Sequence, residues 1–114
     1  MQNIIISGFV GIDPQTRQAG ENTVTSFSVA VNNPRNRQAP PTWYRVECWN
    51  GLGTTVSQYV GKGDYVVVTA DRLQVSPYIN SDGKPAASID LHASSVDFSG
   101  NRRTDNSSDE PAPF

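Results

Sequence analysis

Along the first hundred residues, apolar and polar positions alternate with a period of two in several short runs, separated by clusters of Gly, Pro, Asn and Asp. That is the pattern of half-buried strands joined by turns. "NIIISGFVG" reads as a first strand, dense in β-branched residues, with Gly8 and Gly11 marking a bend or bulge. "IDPQTRQAGEN" carries turn chemistry at Asp13-Pro14 and Gly20. "TVTSFSVAV" puts Thr25, Phe27, Val29 and Val31 on one face and Ser26, Ser28 and Ala30 on the other. "NNPRNRQAPP" reads as a loop, because its prolines remove ladder donors. "TWYRVECWN" is the most informative run: Trp43, Arg45, Glu47 and Trp49 share one side, Tyr44, Val46 and Cys48 the other.

The period then changes. In "GLGTTVSQYVGKGD", Leu52, Val56, Tyr59 and Val60 fall on one helical face, with Thr54 or Thr55 as the expected cap and Gly61 as the expected end. "DYVVVTADRLQVSPYI" returns to a long strand whose Pro77 requires an edge or bulge, and "NSDGKP" is a hairpin turn with Asp82-Gly83 at its tip. "AASIDLHASSVDF" is the last strand, with Ala87, Ile89 and Leu91 expected on its inner face. Three strands, a helix and two strands is the element order of the OB-fold, a five-stranded Greek-key barrel that takes oligomeric ligands on its second and third strands and the adjoining loops. The expected fold is therefore all-β with one short helix, over residues 1–100. Residues 101–114 lack apolar periodicity and are expected to form a disordered acidic tail.

Charge sharpens this division. The net charge is -2, yet residues 1–103 hold all nine Lys and Arg against eight Asp and Glu, while Asp105, Asp109 and Glu110 follow with no basic neighbour. A mildly basic body and an acidic tail are averaged in the total. The single Cys48 has no partner for an internal disulfide, no apolar run nears the roughly 18 residues of a membrane span, and no secretion signal is visible. A reducing, cytoplasmic setting is expected.

The Trp43, Arg45, Trp49 side is the candidate site. Single-stranded nucleic acid presents flat bases and one charge per nucleotide, so a sequence-tolerant binder needs aromatic platforms interleaved with cations. Tyr78, on the long hairpin, is a third candidate platform. Arg17, Arg35, Arg37, Arg45, Arg72 and Lys84 are candidate phosphate contacts, whereas Lys62 reads as a solvated charge past the helix. Large aromatics are more often core residues, but two tryptophans sharing parity with Arg45 and Glu47 argue for solvent, because charge is costly to bury. Tyr44 and Phe27 read as core. Catalysis has little support: one His and one Cys in separate segments, and scattered carboxylates, assemble no metal or acid-base set, and His92 reads as a surface or edge residue. No cofactor is expected.

These stretches resemble the bacterial-type single-stranded DNA-binding proteins. "NIIISGFVGIDPQTR", "TWYRVECWNGL" and "SQYVGKGDYVVV" are similar to that family's opening strand, its Trp-x-Arg-Val strand and its helix end, and "DEPAPF" resembles its acidic tip ending in Pro-Phe. The resemblance implies a homotetramer that wraps single-stranded DNA in replication, recombination and repair, cytoplasmic and nucleoid-associated. It also implies base stacking at Trp43, Trp49 and Tyr78. Asp109, Glu110, Pro111, Ala112, Pro113 and Phe114 would form a tip that docks partner proteins. Three features depart from the family pattern: Arg35 and its neighbours replace a loop tryptophan, the linker before the tip shrinks to about ten residues, and Tyr44 stands where His is common. A primosome-type OB adaptor and an RNA-binding OB module are the alternatives to weigh.

Overall fold

The computed structural model describes residues 1–98, so the expected tail and its tip lie outside the described residues. Six strands and one helix follow in the order β1 (Ile4–Val10), β2 (Gln15–Ala19), β3 (Asn22–Val31), β4 (Thr42–Trp49), α1 (Asn50–Tyr59), β5 (Tyr65–Ile79) and β6 (Pro85–Phe98). The sheet order β1-β5-β6-β4-β3-β2, with β1 also pairing β3, closes the barrel.

The extra strand has a local cause. The stretch expected to be a turn forms β2, a hairpin with β3 from Gln15↔Ser26 to Ala19↔Asn22, turning at Gly20 with φ 68°. That left-handed conformation suits glycine. Thr16 and Thr25 hydroxyls lie 2.8 Å apart across the pair. Because β1 and β2 both run antiparallel to β3, they are two arms of one bent strand, and the five-stranded barrel is preserved. At the bend Pro14 supplies no N–H, and Asp13 Oδ1 accepts from the Lys62 N–H at 2.8 Å.

Alternation fixes the inside. Phe27, Val46, Leu91 and Leu73 pair in one row across β3, β4, β6 and β5, and the first three are buried. Val10, Val29, Val66, Val68 and Ala70 join the same core, with Tyr44 packed against it. Ala87, expected inside, is exposed, because β5 and β6 run beyond the barrel as a two-stranded arm with no further strand paired to it among the described residues. Pro77 lies on that arm opposite Ala87, where only one strand edge is paired, as its missing N–H demands.

The helix starts differently from the expectation and stops just before Gly61. Trp49 is its N-cap without a side-chain cap bond, and Thr54 and Thr55 lie inside it, their hydroxyls donating to the Asn50 and Gly51 carbonyls. Its C-cap is Val60, and the Gly61 N–H is satisfied by Asp64 Oδ2 at 2.9 Å. Val56 is fully buried, and Tyr59 stacks on Phe98 with ring centroids 6.0 Å apart. Cys48 is buried and packs as an apolar group: desolvation, helped by the Glu47 charge, pushes its thiol up to about 12, so it stays protonated at neutral pH. Among the described residues no helix is long and apolar enough to cross a membrane.

Gly8 sets the closest strand approach. A Cβ there would sit 2.2 Å from the Ala30 carbonyl oxygen, a backbone atom that cannot step aside. Gly8→Ala is therefore expected to lower stability by at least about 1–3 kcal/mol, the usual cost of overpacking. Urea denaturation checks this, and an unchanged midpoint would show that β1 and β3 are not so tightly apposed.

Candidate nucleic-acid interface

The side chains opposite the core form a second set of rows. Paired residues on neighbouring strands share a face, so Ser28, Arg45, Asp90 and Gln74 make one outward row across β3, β4, β6 and β5. Ser26, Glu47, His92 and Arg72 make the next. Arg17, Val24 and Trp49 flank them on β2, β3 and β4, and Ala30 and Trp43 lie at the opposite end. Polar residues thus alternate in sign across the barrel wall, with a tryptophan at each end of β4.

Trp43 is 52% exposed and lies over Gly11, where a Cβ would meet its ring carbons Cζ3 at 2.5 Å and Cη2 at 2.8 Å. The glycine is the floor on which this platform rests. Trp49 is half-buried; Val24, paired with it and with Arg17, is fully buried although it belongs to the outward face. The Trp49 indole Nε1–H is buried with no hydrogen-bond partner among the described residues, a cost of about 1–3 kcal/mol carried at the wall itself.

Glu47 organises the cations. Its Oε2 lies 3.2 Å from Arg45 Nη1 and 4.0 Å from Arg17 Nη2, so one carboxylate, itself mostly covered, draws two candidate phosphate contacts together. His92 Nδ1 is 3.1 Å from Asp71 Oδ1, and its ring centroid is 6.3 Å from that of Trp49. Glu47, Trp49, Arg72, Gln74, Asp90 and His92 surround a cavity of about 150 Å³.

The structure therefore brings Trp43, Trp49, Arg17, Arg45 and Arg72 onto one face. Tyr78 shares strand parity with Arg72 and Gln74 but lies farther out on the arm, 51% exposed and paired with Ala86. Lys84 is at the arm's tip, where the Asn80 side chain accepts its N–H. Both extend the face rather than crowd it. Arg35 and Arg37 are exposed in the loop between β3 and β4. Arg37 lines a cavity of about 350 Å³ with Phe9, Ala30 and Asn32, beside the Trp43 end. The tip residues Asp109 to Phe114 are outside the described residues.

Sequence reasoning passed over Gly11, Gln74, Asp90 and His92. His92 is half-exposed as expected, but on an inner strand of the sheet and at the site. The "IDLH" alternation contains the signal that Asp90 and His92 point away from Leu91; only the pairing of β6 with β4 puts them beside Trp49.

A small closed barrel with two tryptophans and a set of arginines on its outer wall defines an OB-fold module of the nucleic-acid-interface type. The family model for the single-strand binding protein family matches residues 1–99, and the chain belongs to that family. The chain is 32% identical to a protein of Chlamydia trachomatis named "Single-stranded DNA-binding protein", over 86% of this chain and 63% of that one. It is 26% identical to the "Single-stranded DNA-binding protein 1" of Synechocystis, over 90% of this chain and 87% of the relative. The chain spans about six-tenths of the length of the chlamydial relatives. The SSB domain of a Synechococcus protein superposes with a TM-score of 0.65 at 21% identity, covering 85% of this chain and 94% of that domain, which supports the fold.

Gly11→Ala is expected to lift the Trp43 ring from its seat. In a Trp49→Phe background, where Trp43 is the only tryptophan, acrylamide quenching should rise on that substitution. Unchanged quenching would mean that Gly11 does not support the ring.

Proposed function

We propose that this chain binds single-stranded DNA with broad sequence tolerance, as a non-enzymatic module of DNA replication, recombination and repair. The observation that carries the reading is the register of β4, which sets Trp43 and Trp49 on the solvent side around Arg45. Stacking is worth about 1–3 kcal/mol per base and accepts any base, because every base has a π face. Trp43, Trp49 and Tyr78 serve as the platforms. Arg17, Arg35, Arg37, Arg45, Arg72 and Lys84 neutralise phosphates as the strand crosses the barrel wall and the arm. Glu47 keeps Arg45 and Arg17 gathered in the unbound protein and yields them to phosphate on binding. The relatives' names support DNA as the ligand.

The same reading extends to the assembly. Copies of the chain associate as a homotetramer, which multiplies the wall available to one strand, and the protein acts in the cytoplasm at the nucleoid. The tip from Asp109 to Phe114 docks partner proteins: Phe114 enters a small apolar pocket, the carboxylates pair with basic residues at its rim, and Pro111 and Pro113 keep the peptide extended. Its negative charge makes it an electrostatic competitor of DNA for the arginines.

Titration with oligo-dT is expected to quench tryptophan emission, with log K falling against log salt by about 0.7 per phosphate neutralised. Trp43→Ala and Trp49→Ala should each weaken binding by about 5- to 150-fold, the equivalent of one lost stack. Deleting residues 109–114 should leave the affinity equal or higher. Unaltered emission at saturating oligo-dT and low salt would refute the proposal.

A further inference from the structure

The wall that is to meet a polyanion is electrically balanced at its centre. The charged side chains of its two central rows and their ion-pair partners are Arg17, Arg45 and Arg72 against Glu47, Asp71 and Asp90, three of each sign. Their sum is zero. His92 stands among them as the one histidine of the chain, and histidine is the side chain whose ordinary titration falls between about pH 5 and 8. Its charge therefore decides the sign of these rows.

The β5–β6 ladder is irregular at this residue. Ala70 pairs with Ala93 and Arg72 with His92, so Asp71 is an extra residue between two successive pairs. A bulge of this kind re-aims a side chain. Here it brings Asp71 Oδ1 to 3.1 Å from His92 Nδ1, while Arg72 keeps its place opposite His92 in the outward row. The carboxylate accepts, so the Nδ1 hydrogen is held toward β5 and Nε2 is the free end of the ring. The ring is half-exposed and lies beside Trp49, with centroids 6.3 Å apart.

The two protonation states differ at Nε2. In the neutral ring it carries a lone pair, and a phosphate oxygen, itself an acceptor, gains no bond there. In the imidazolium it is an N–H donor, and its bond to phosphate is charge-assisted. The charged groups that face the ring are Asp71 and Arg72 from β5, Glu47 from β4 with Arg45 on the same carboxylate, and Asp90 two residues away on β6. Because these already cancel, a phosphate held beside Trp49 is met by net positive charge only when the ring is protonated. We infer that His92 is a phosphate contact that acts in its protonated form, so that single-stranded DNA takes up a proton from solvent as it binds this wall. The inference rests on the DNA-binding reading of the same face and adds to it a titratable contact.

The test uses the full chain and oligo-dT, whose bases do not titrate between pH 6 and pH 8; the carboxylates of the wall and of the acidic tip stay ionised over the same range. Affinities are read by fluorescence anisotropy over a series of salt concentrations at both pH values. Binding is expected to be about two- to fivefold tighter at pH 6, the scale of one exposed ion pair. The slope of log K against log salt should steepen by about 0.7 for each His92 engaged, as one more phosphate is neutralised. His92→Gln, whose fold is checked by circular dichroism, should lose both responses, and it retains the Met1 amine as an internal control. Calorimetry of the unaltered protein at pH 6.5, where that amine is already charged, should show net proton uptake when two buffers of different ionisation enthalpy are compared. Equal affinity and slope at the two pH values, or binding without proton uptake, would overturn the inference while leaving DNA binding intact. Responses that persist in His92→Gln would remove His92 from the role. Failure to bind oligo-dT at either pH would defeat both this inference and the DNA-binding reading.

Discussion

The ring of strands contains one parallel contact, three register pairs between β4 and β6: Arg45 with Asp90, Val46 with Leu91, and Glu47 with His92. These pairs join the β3–β4 hairpin to the β5–β6 hairpin. The middle pair points inward and completes the row from Phe27 to Leu73, while the outer two point to solvent and complete the polar rows. A slip of β4 by one residue would exchange its faces, placing Arg45 and Glu47 in the core and Val46 in water. Burial of the inner row therefore holds the outer row in place. Core and candidate interface are two consequences of one register.

That dependence explains how a modestly charged wall can serve a polyanion. The arginines on it do not form a bare cationic stripe; Glu47 gathers two of them, and Asp71 and Asp90 lie nearby. Platforms at each end of β4 supply energy that does not depend on charge, and the acidic groups hold cations and the His92 ring in defined positions. Trp49, whose indole N–H has no partner among the described residues, sits beside the fully buried Val24 with which it pairs. Cys48, on the buried face of the same strand, is a packing residue whose elevated pKa keeps it out of the chemistry.

Much of this was readable because β4 carries its message within eight consecutive residues. Trp43, Arg45 and Trp49 could be assigned to one face without knowing what lies beside them, and the helix face through Val56 was equally local. β2 escaped because Gln-Thr-Arg-Gln-Ala has little apolar alternation; its pairing comes from β3 and from the turn at Gly20. Asp90, His92 and Gln74 escaped for another reason: their site exists only after β6 aligns with β4, across more than forty residues of chain. Gly11, just past β1, under Trp43 of β4 is likewise a contact between residues distant in the chain. Thr54 and Thr55 looked like caps because Thr is a good cap residue, but the packing of Gly53 against Cys48 and Thr25 brings the helix start forward to Trp49.

Amide and indole chemical-shift mapping on adding oligo-dT tests the central claim most directly, because it reports every strand at once. Shifts should concentrate at both tryptophan indoles and at the outward rows of β3, β4, β6 and β5, including Arg45, Glu47, Asp90, His92, Arg72 and Gln74. The solvent face of α1 should remain unmoved. Shifts centred on α1, with the β4 tryptophans unaffected, would contradict the account.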